Sequence, residues 1–299
     1  MREPFTGVGT ALVTPFTSTG ALDDAGVRRL GRRQIDAGVH FLCPCGTTGE
    51  NPTLTDAERA RIVEILVDEA KGRVPVLAGA GGYDTKEVIE LGELMRRAGA
   101  SGLLSVTPYY NKPSQEGLYQ HYKAIAASTP LPIIVYNVPG RTGVNVEVST
   151  LARLAQIPNI IGVKEASGNV TQMCEIRHAV PDHFLVLSGD DALTLPLMAI
   201  GGRGIISVAS NEIPAEMTAM VEAAERGDFA AARAIHTRIL PLMLGNFMEA
   251  NPIPVKAAMA AMGLLEEHYR LPMCGPRAES REKIVKLLKD LNLYKAALV

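Results

Sequence analysis

Residues 133–165 read IIVYNVPGRTGVNVEVSTLARLAQIPNIIGVKE. Ile133-Ile134-Val135 and Ile160-Ile161-Gly162-Val163 are continuous apolar runs, the pattern of strands buried on both faces. A turn at Pro139-Gly140 and a stretch of helical periodicity separate them, so the segment reads as one strand, one helix and the next strand. The alternation recurs along the chain, with β-rich runs beginning near Gly7, Phe41, Val74, Gly102, Ile133, Ile160, Phe184 and Gly204. Eight comparable units, each the size of a strand, a helix and two short loops, predict a closed α/β barrel, the (β/α)8 or TIM barrel, rather than an open doubly wound sheet. Thr55-Asp56-Ala57-Glu58 has the form of a capping box, and Ile62, Val63, Leu66, Val67 and Ala70 then form one apolar stripe. Ile213 to Glu225 would be the closing helix. Residues 1–225 are thus expected to form the barrel that carries the active site. Residues 226–299 show only helical patterns, at Phe229–Gly245, Pro252–Gly263 and Ser280–Leu291, and are expected to be a C-terminal helical extension packed on the barrel or on a neighbouring subunit.

The composition narrows the function. Of 299 residues, 47% are hydrophobic and 21% charged, enough apolar material for a large core and too much for disorder. Thirty basic against 32 acidic side chains leave a formal charge of -2, which offers no electrostatic footprint for nucleic acid or an anionic membrane. The charge-free run Ala124–Gly140 carries three prolines and cannot be a spanning helix. Met1-Arg2-Glu3-Pro4 does not open an apolar signal segment, so a cytoplasmic location is expected. Cys43, Cys45, Cys174 and Cys274 form no C-x-x-C pair and no H-E-x-x-H occurs, so neither zinc nor another metal is expected; all four cysteines read as small buried residues. Gly79-Ala80-Gly81-Gly82 fails as a dinucleotide fingerprint because the third glycine of G-x-G-x-x-G would fall on Asp84. Asp190-Asp191 lacks the further acidic or histidine ligands of an enolizing metal site.

Barrels of this kind work at the C-terminal ends of their strands. Lys164 stands at such an end, with Gly162 two positions earlier on the same face to leave room for its methylene chain. A lysine in a barrel lumen is desolvated, which favours the neutral amine and makes it a Schiff-base nucleophile; the competing reading is a lysine paired with Glu165. Thr47 and Thr48, between glycines, could cradle a carboxylate or simply make a turn. Tyr136 could be a proton donor or a packed aromatic. Arg141, after a Pro-Gly turn, could clamp a carboxylate or sit in solvent.

Several segments together resemble the dihydrodipicolinate synthase family, among the pyruvate-dependent class I aldolases related to N-acetylneuraminate lyase. They are Gly46-Thr47-Thr48-Gly49-Glu50, Thr107 to His121 (TPYYNKPSQEGLYQH), Tyr136 to Gly143, Gly162-Val163-Lys164-Glu165-Ala166, Leu187 to Asp191, and Asn251-Pro252-Ile253-Pro254-Val255-Lys256. The resemblance implies that Lys164 forms an imine with pyruvate, that Tyr136 is the general acid/base, and that Thr47 links it to Tyr110 in a proton relay. It implies that Thr48 holds the pyruvate carboxylate, that Arg141 receives the carboxylate of the second substrate, aspartate semialdehyde, and that the backbone around Gly189 and Ile206 lines the pocket. No cofactor is implied. A homotetramer, a dimer of dimers, is implied, with Tyr110 crossing into a neighbour's site.

Two other readings stand beside the synthase: a relative that cleaves a 2-keto-3-deoxy sugar acid, and a noncatalytic ligand-binding regulator. Arg141 argues for the short carboxylated aldehyde, since the sugar-acid branch usually lacks it. Lysine-inhibited members bind lysine near the positions that here are Asn51, Asp56, Arg59, Tyr83, Glu87 and Tyr109. Arg59 and Tyr83 depart from that pattern, and weak or absent inhibition is expected.

Overall fold

A computed structural model describes residues 3–294; residues 1–2 and 295–299, at the outer ends of the two expected segments, lie outside the described residues. The first half of the barrel runs β1 (Gly7–Ala11), α1 (Asp24–Asp36), β2 (Phe41–Cys43), α2 (Asp56–Ala70), β3 (Leu77–Gly79), α3 (Thr85–Arg97), β4 (Gly102–Val106) and α4 (Gln115–Ser128). The second half runs β5 (Ile133–Asn137), α5 (Pro139–Thr142), α6 (Val148–Leu154), β6 (Ile160–Glu165), α7 (Val170–Ala179), β7 (Leu185–Ser188), α8 (Thr194–Ala199), β8 (Gly204–Ser207) and α9 (Pro214–Glu225). Three further helices follow: α10 (Phe229–Gly245), α11 (Ile253–Ala261) and α12 (Ala278–Asp290).

The eight strands form one parallel sheet in the order β2-β1-β8-β7-β6-β5-β4-β3. A Leu42–Val76 bridge, with Leu42 N–H donating to the Pro75 carbonyl and Gly79 N–H to that of Pro44, joins β2 to β3 and closes the barrel. The expected start of the third strand at Val74 falls three residues early, because Pro75 has no N–H to donate to the ladder. The seventh strand begins at Leu185, one residue after Phe184.

Side chains alternate between lumen and helix layer. Ala11, Phe41, Cys43, Leu77, Leu104, Ile134, Tyr136, Leu185, Leu187 and Ile206 fill the lumen with Phe5, while Val8, Leu42, Ala78, Leu103, Val135, Val163, Val186 and Ile205 pack outward. Large lumen residues are matched by glycines: a Cβ on Gly9 would lie 2.0 Å from the Phe41 ring, and one on Gly162 would lie 2.6 Å from the Leu185 carbonyl. Gly162 therefore admits strand β7. It does not make room for Lys164, as the spacing alone suggested.

The helices start where their sequences announce it. Both bonds of the capping box form, Glu58 N–H to Thr55 Oγ1 and Thr55 N–H to the Glu58 carboxylate. Ile62, Val63, Leu66 and Ala70 are buried as expected, whereas Val67 is only half-buried and Ile65 takes its place. Ile239, Leu242 and Met243 of α10, Ala258 of α11 and Ile284 and Leu288 of α12 join the same buried cluster as Val8, Leu12 and Val221. Each of these leucine, isoleucine and methionine side chains contributes about 1.5–3 kcal/mol, so the extension is sealed to the barrel by its own apolar stripe. Cys43 and Cys45 are buried as expected, but Cys174, on the solvent side of α7, and Cys274, in the loop before α12, are exposed.

Candidate active site

A cavity of about 200 Å³ opens at the C-terminal ends of β2 to β5, lined by Thr47, Asn51, Gly79, Gly81, Tyr109, Tyr136 and Arg141 among others. Glycines shape its wall, since a Cβ on Gly79 would stand 2.0 Å from the Cys45 carbonyl and one on Gly81 would stand 2.4 Å from the Val106 nitrogen. The run that failed as a nucleotide motif thus lets the end of β3 pass close to its neighbours. Cys45 also lines the cavity. Burial pushes its thiol, and that of Cys43, up to about 12, so neither is a thiolate that competes as nucleophile.

Lys164 and Tyr136 are register partners on β6 and β5, and the lysine Nζ lies 4.3 Å from the centroid of the Tyr136 ring. Lys164 is only 5% exposed. Its methylene chain runs over Gly189, where an added Cβ would meet Lys164 Cε at 3.0 Å and Cγ at 3.2 Å, so Gly189 makes the room that lets this side chain lie in the lumen. The alternative partner, Glu165, points to the other face. Its carboxylate accepts from Asn137 Nδ2 at 2.9 Å, from the Ser167 N–H at 2.8 Å and from Gln172 Nε2 at 3.4 Å, and no salt bridge to Lys164 occurs among the described residues.

That outer cluster also holds the loop bearing Arg141. Asn137 donates to Asn145 Oδ1 and accepts from the Val146 N–H, and Gln115 donates to the Asn145 carbonyl, so the turn after α5 is tied to β5, β6 and α4. Gly143 takes the left-handed conformation at the end of α5 (φ 73°), which a side chain would strain. Arg141 lines the cavity and donates from Nη2 to the Asn251 carbonyl at 3.2 Å.

Of the other expected residues, Thr48 is buried and its Oγ1 accepts from Asn251 Nδ2 at 2.9 Å. Ile206 belongs to the lumen cluster with Tyr136 and Leu187. Tyr110 stands apart, 92% exposed with φ 69° and outside the lining of the cavity within this chain, and Lys164, Thr48, Gly189 and Ile206 are likewise not among the residues that line it. Asn251, from the extension, is the residue the sequence reading left without a role. Its signal was present in the quoted run Asn251 to Lys256, but no local spacing tells that a residue 203 positions later meets Thr48. Asp190 and Asp191 have structural work instead: Asp190 caps the turn before α8, and buried Asp191 accepts from Ser207 Oγ and the N–H groups of Val208 and Ala209.

A buried strand lysine beside a tyrosine that lines an apolar cavity, with an arginine in the same lining, is the arrangement of a Schiff-base aldolase. The sequence model of the dihydrodipicolinate synthetase family matches residues 4–291. The chain belongs to this family. It is 51% identical over 294 residues to 4-hydroxy-tetrahydrodipicolinate synthase of Koribacter versatilis, covering 98% of each chain. Among solved structures, dihydrodipicolinate synthase from Aquifex aeolicus superposes with a TM-score of 0.95 at 43% identity, covering 98% of this chain and 100% of that one. The Acinetobacter baumannii enzyme, solved in complex with pyruvate, gives a TM-score of 0.95 at 41% identity, with 96% and 99% covered. These family relatives are named as synthases, which favours the synthase reading over the sugar-acid lyase and the noncatalytic regulator.

Proposed function

We propose that this cavity condenses pyruvate with L-aspartate 4-semialdehyde to give 4-hydroxy-tetrahydrodipicolinate, a step of lysine and diaminopimelate formation, through a Schiff base on Lys164. The observation that carries the assignment is a lumen lysine free of any carboxylate partner among the described residues, with its amine against the ring of Tyr136, which lines the cleft. Attack of the amine on the keto carbon and loss of water give an iminium, which acidifies the adjacent methyl group. Loss of a methyl proton gives an enamine, whose carbon adds to the aldehyde while the aldehyde oxygen takes a proton. The amino group of the semialdehyde then displaces Lys164, closing the ring. The iminium is itself the electron sink, so the route needs neither metal nor cofactor.

In this reading Tyr136 carries the protons and Thr47 links it to Tyr110. Thr48 holds the keto-acid carboxylate, Arg141 the carboxylate of the semialdehyde, and the backbone around Gly189 and Ile206 closes the pocket. The relay needs Tyr110 from a second subunit, and we take the assembly to be a homotetramer built as a dimer of dimers; the 92% exposure of Tyr110 beside half-exposed Tyr83 supports it. A fully active monomer in sedimentation would contradict the shared relay. The division into a barrel, residues 1–225, and a helical extension, 226–299, belongs to the same reading, as does a cytoplasmic location, where exposed thiols such as Cys174 and Cys274 persist. Among the described residues, no helix is long and apolar enough to cross a membrane.

Borohydride reduction in the presence of pyruvate tests the central step. The adduct should appear on Lys164 and vanish in Lys164→Ala. Lys256, fully buried against Glu50, should stay unlabelled. Full trapping in the variant would sink the assignment.

A further inference from the structure

We infer that Asn251 is a positioning residue that sets the hydrogen-bond polarity of Thr48 and so the affinity of the site for the keto-acid carboxylate. The inference rests on the assignment of Thr48 above and extends it.

A threonine hydroxyl has one O–H to donate and two lone pairs, and a carboxylate can only accept. A hydroxyl that is itself accepting from a fixed donor has its proton left for the ligand. Asn251 Nδ2 supplies that donor, 2.9 Å from Thr48 Oγ1, in a pair whose residues are both almost fully buried. The other end of the same side chain, Oδ1, is buried and has no hydrogen-bond partner among the described residues, so within the chain the amide bonds through its nitrogen alone. The main chain of Asn251 acts at the same time, its carbonyl accepting from Arg141 Nη2 at 3.2 Å. One residue of the C-terminal extension therefore ties together the two side chains assigned to the two substrate carboxylates. The side-chain bond sets the polarity of one, and the carbonyl sets the place of the other.

The two bonds can be separated by mutation, since side-chain variants leave the carbonyl in place. Asn251→Ala should raise KM for pyruvate about tenfold, the worth of one hydrogen bond to a charged group, with kcat and the KM for aspartate semialdehyde changed less than about threefold. Asn251→Asp should raise KM for pyruvate further, because a carboxylate there accepts the Thr48 proton and turns the hydroxyl away from the substrate. In a Thr48→Val background neither substitution should add to the defect, which a general loosening of the fold would not reproduce. An unchanged KM in Asn251→Ala, tolerance of Asn251→Asp, or effects that multiply with that of Thr48→Val would each overturn the inference. If Thr48→Val itself leaves pyruvate affinity unchanged, the assignment of Thr48 fails and takes this inference with it. A large Thr48→Val effect with wild-type behaviour at position 251 refutes the polarity argument alone.

Discussion

At Lys164 the decisive neighbours are small or uncharged. Gly189 yields the volume, Tyr136 covers the amine, and Glu165 is held on the opposite face by Asn137, the Ser167 N–H and Gln172. A lysine in this setting has no carboxylate to lose before it attacks a carbonyl. In the proposed route the proton traffic falls to Tyr136. Tyr136→Phe keeps the ring over the lysine and removes only the hydroxyl, so it should lower turnover by roughly 10² to 10⁴ while pyruvate still forms its adduct; a loss below tenfold would argue against the role. Arg141→Ala should act differently. It removes a cation at the rim, and initial-rate kinetics should show the response to aspartate semialdehyde weakened more than that to pyruvate. An unchanged dependence on the aldehyde would refute the clamp.

Between elements, the extension is anchored at the barrel mouth by a buried ion pair. Lys256 on α11 meets Glu50, the residue after the Thr47-Thr48-Gly49 turn, with both side chains sealed from water. Lys256 Nζ also lies 4.4 Å from the Phe16 ring centroid, and the Arg270 N–H donates to Glu50 at 3.2 Å. Burial pulls the lysine below its usual range, with the Glu50 charge opposing that shift. Lys256→Met leaves a carboxylate buried without its cation and should destabilise the protein by about 3–5 kcal/mol, whereas adding Glu50→Gln should restore most of the loss. Urea unfolding followed by circular dichroism suits a chain without tryptophan. Equal destabilisation in the single and double variants would show that packing, not charge, holds α11.

Over the whole molecule, stability should depend on pH through Glu212, which follows β8 and sits between the barrel and α10. Burial, with a contribution from Asp191, pushes its carboxyl up to about 8; Asn246 donates to it, and Arg33 binds the Asn211 and Glu212 carbonyls. An unfolded glutamate loses its proton near pH 4.3, so between that value and 8 the folded state binds more protons. Stability must fall as pH rises through this window, by at most about 1.4 kcal/mol per unit. His121, lowered by burial to about 4, has the opposite sign: it costs stability as pH falls from about 6.5 towards 4. Above about pH 6.5 the His121 contribution has passed, and the decline that remains belongs to Glu212 together with buried Asp191, whose carboxyl burial also raises. Melting temperature should decline between about pH 6.5 and 8, and Glu212→Gln should flatten the decline; an unaltered slope would assign it to another group.

Inhibition by lysine should be weak or absent. Arg59 sits in a cavity of about 500 Å³ with Asn51, Asp56, Tyr83, Glu87 and Tyr109, and its guanidinium binds Asn51 Oδ1 at 2.9 Å and Asp56 Oδ1 at 2.6 Å. Of the acids lining this cavity, Asp56 is already paired with the Arg59 guanidinium, and Tyr83 stands edge-on to Tyr109, 5.2 Å between centroids. Millimolar lysine should leave the rate nearly unchanged. Half-inhibition below about 1 mM, near -4 kcal/mol of binding, would show that the pocket accepts it.

The strand starts at Gly7, Phe41, Gly102, Ile133, Ile160 and Gly204 were legible in the sequence because buried parallel strands are continuous apolar runs, a signal contained within each segment. The helices of the extension and the capping box at Thr55 are local in the same sense. Lys164, Tyr136, Thr47 and Arg141 could be named because each lies at the end of such a run or in the loop just beyond it, where the fold class alone directs attention. What the chain by itself did not reveal is whatever depends on which face of one strand meets which residue of another. Gly189, not Gly162, gives Lys164 its space; Asn137 and Gln172, not Lys164, satisfy Glu165; Asn251 reaches Thr48 across 203 positions. These pairings exist only once the barrel is closed and the extension is folded back on it, since long-range contacts are set by packing volume and hydrogen-bond satisfaction in three dimensions rather than by any periodicity along the chain.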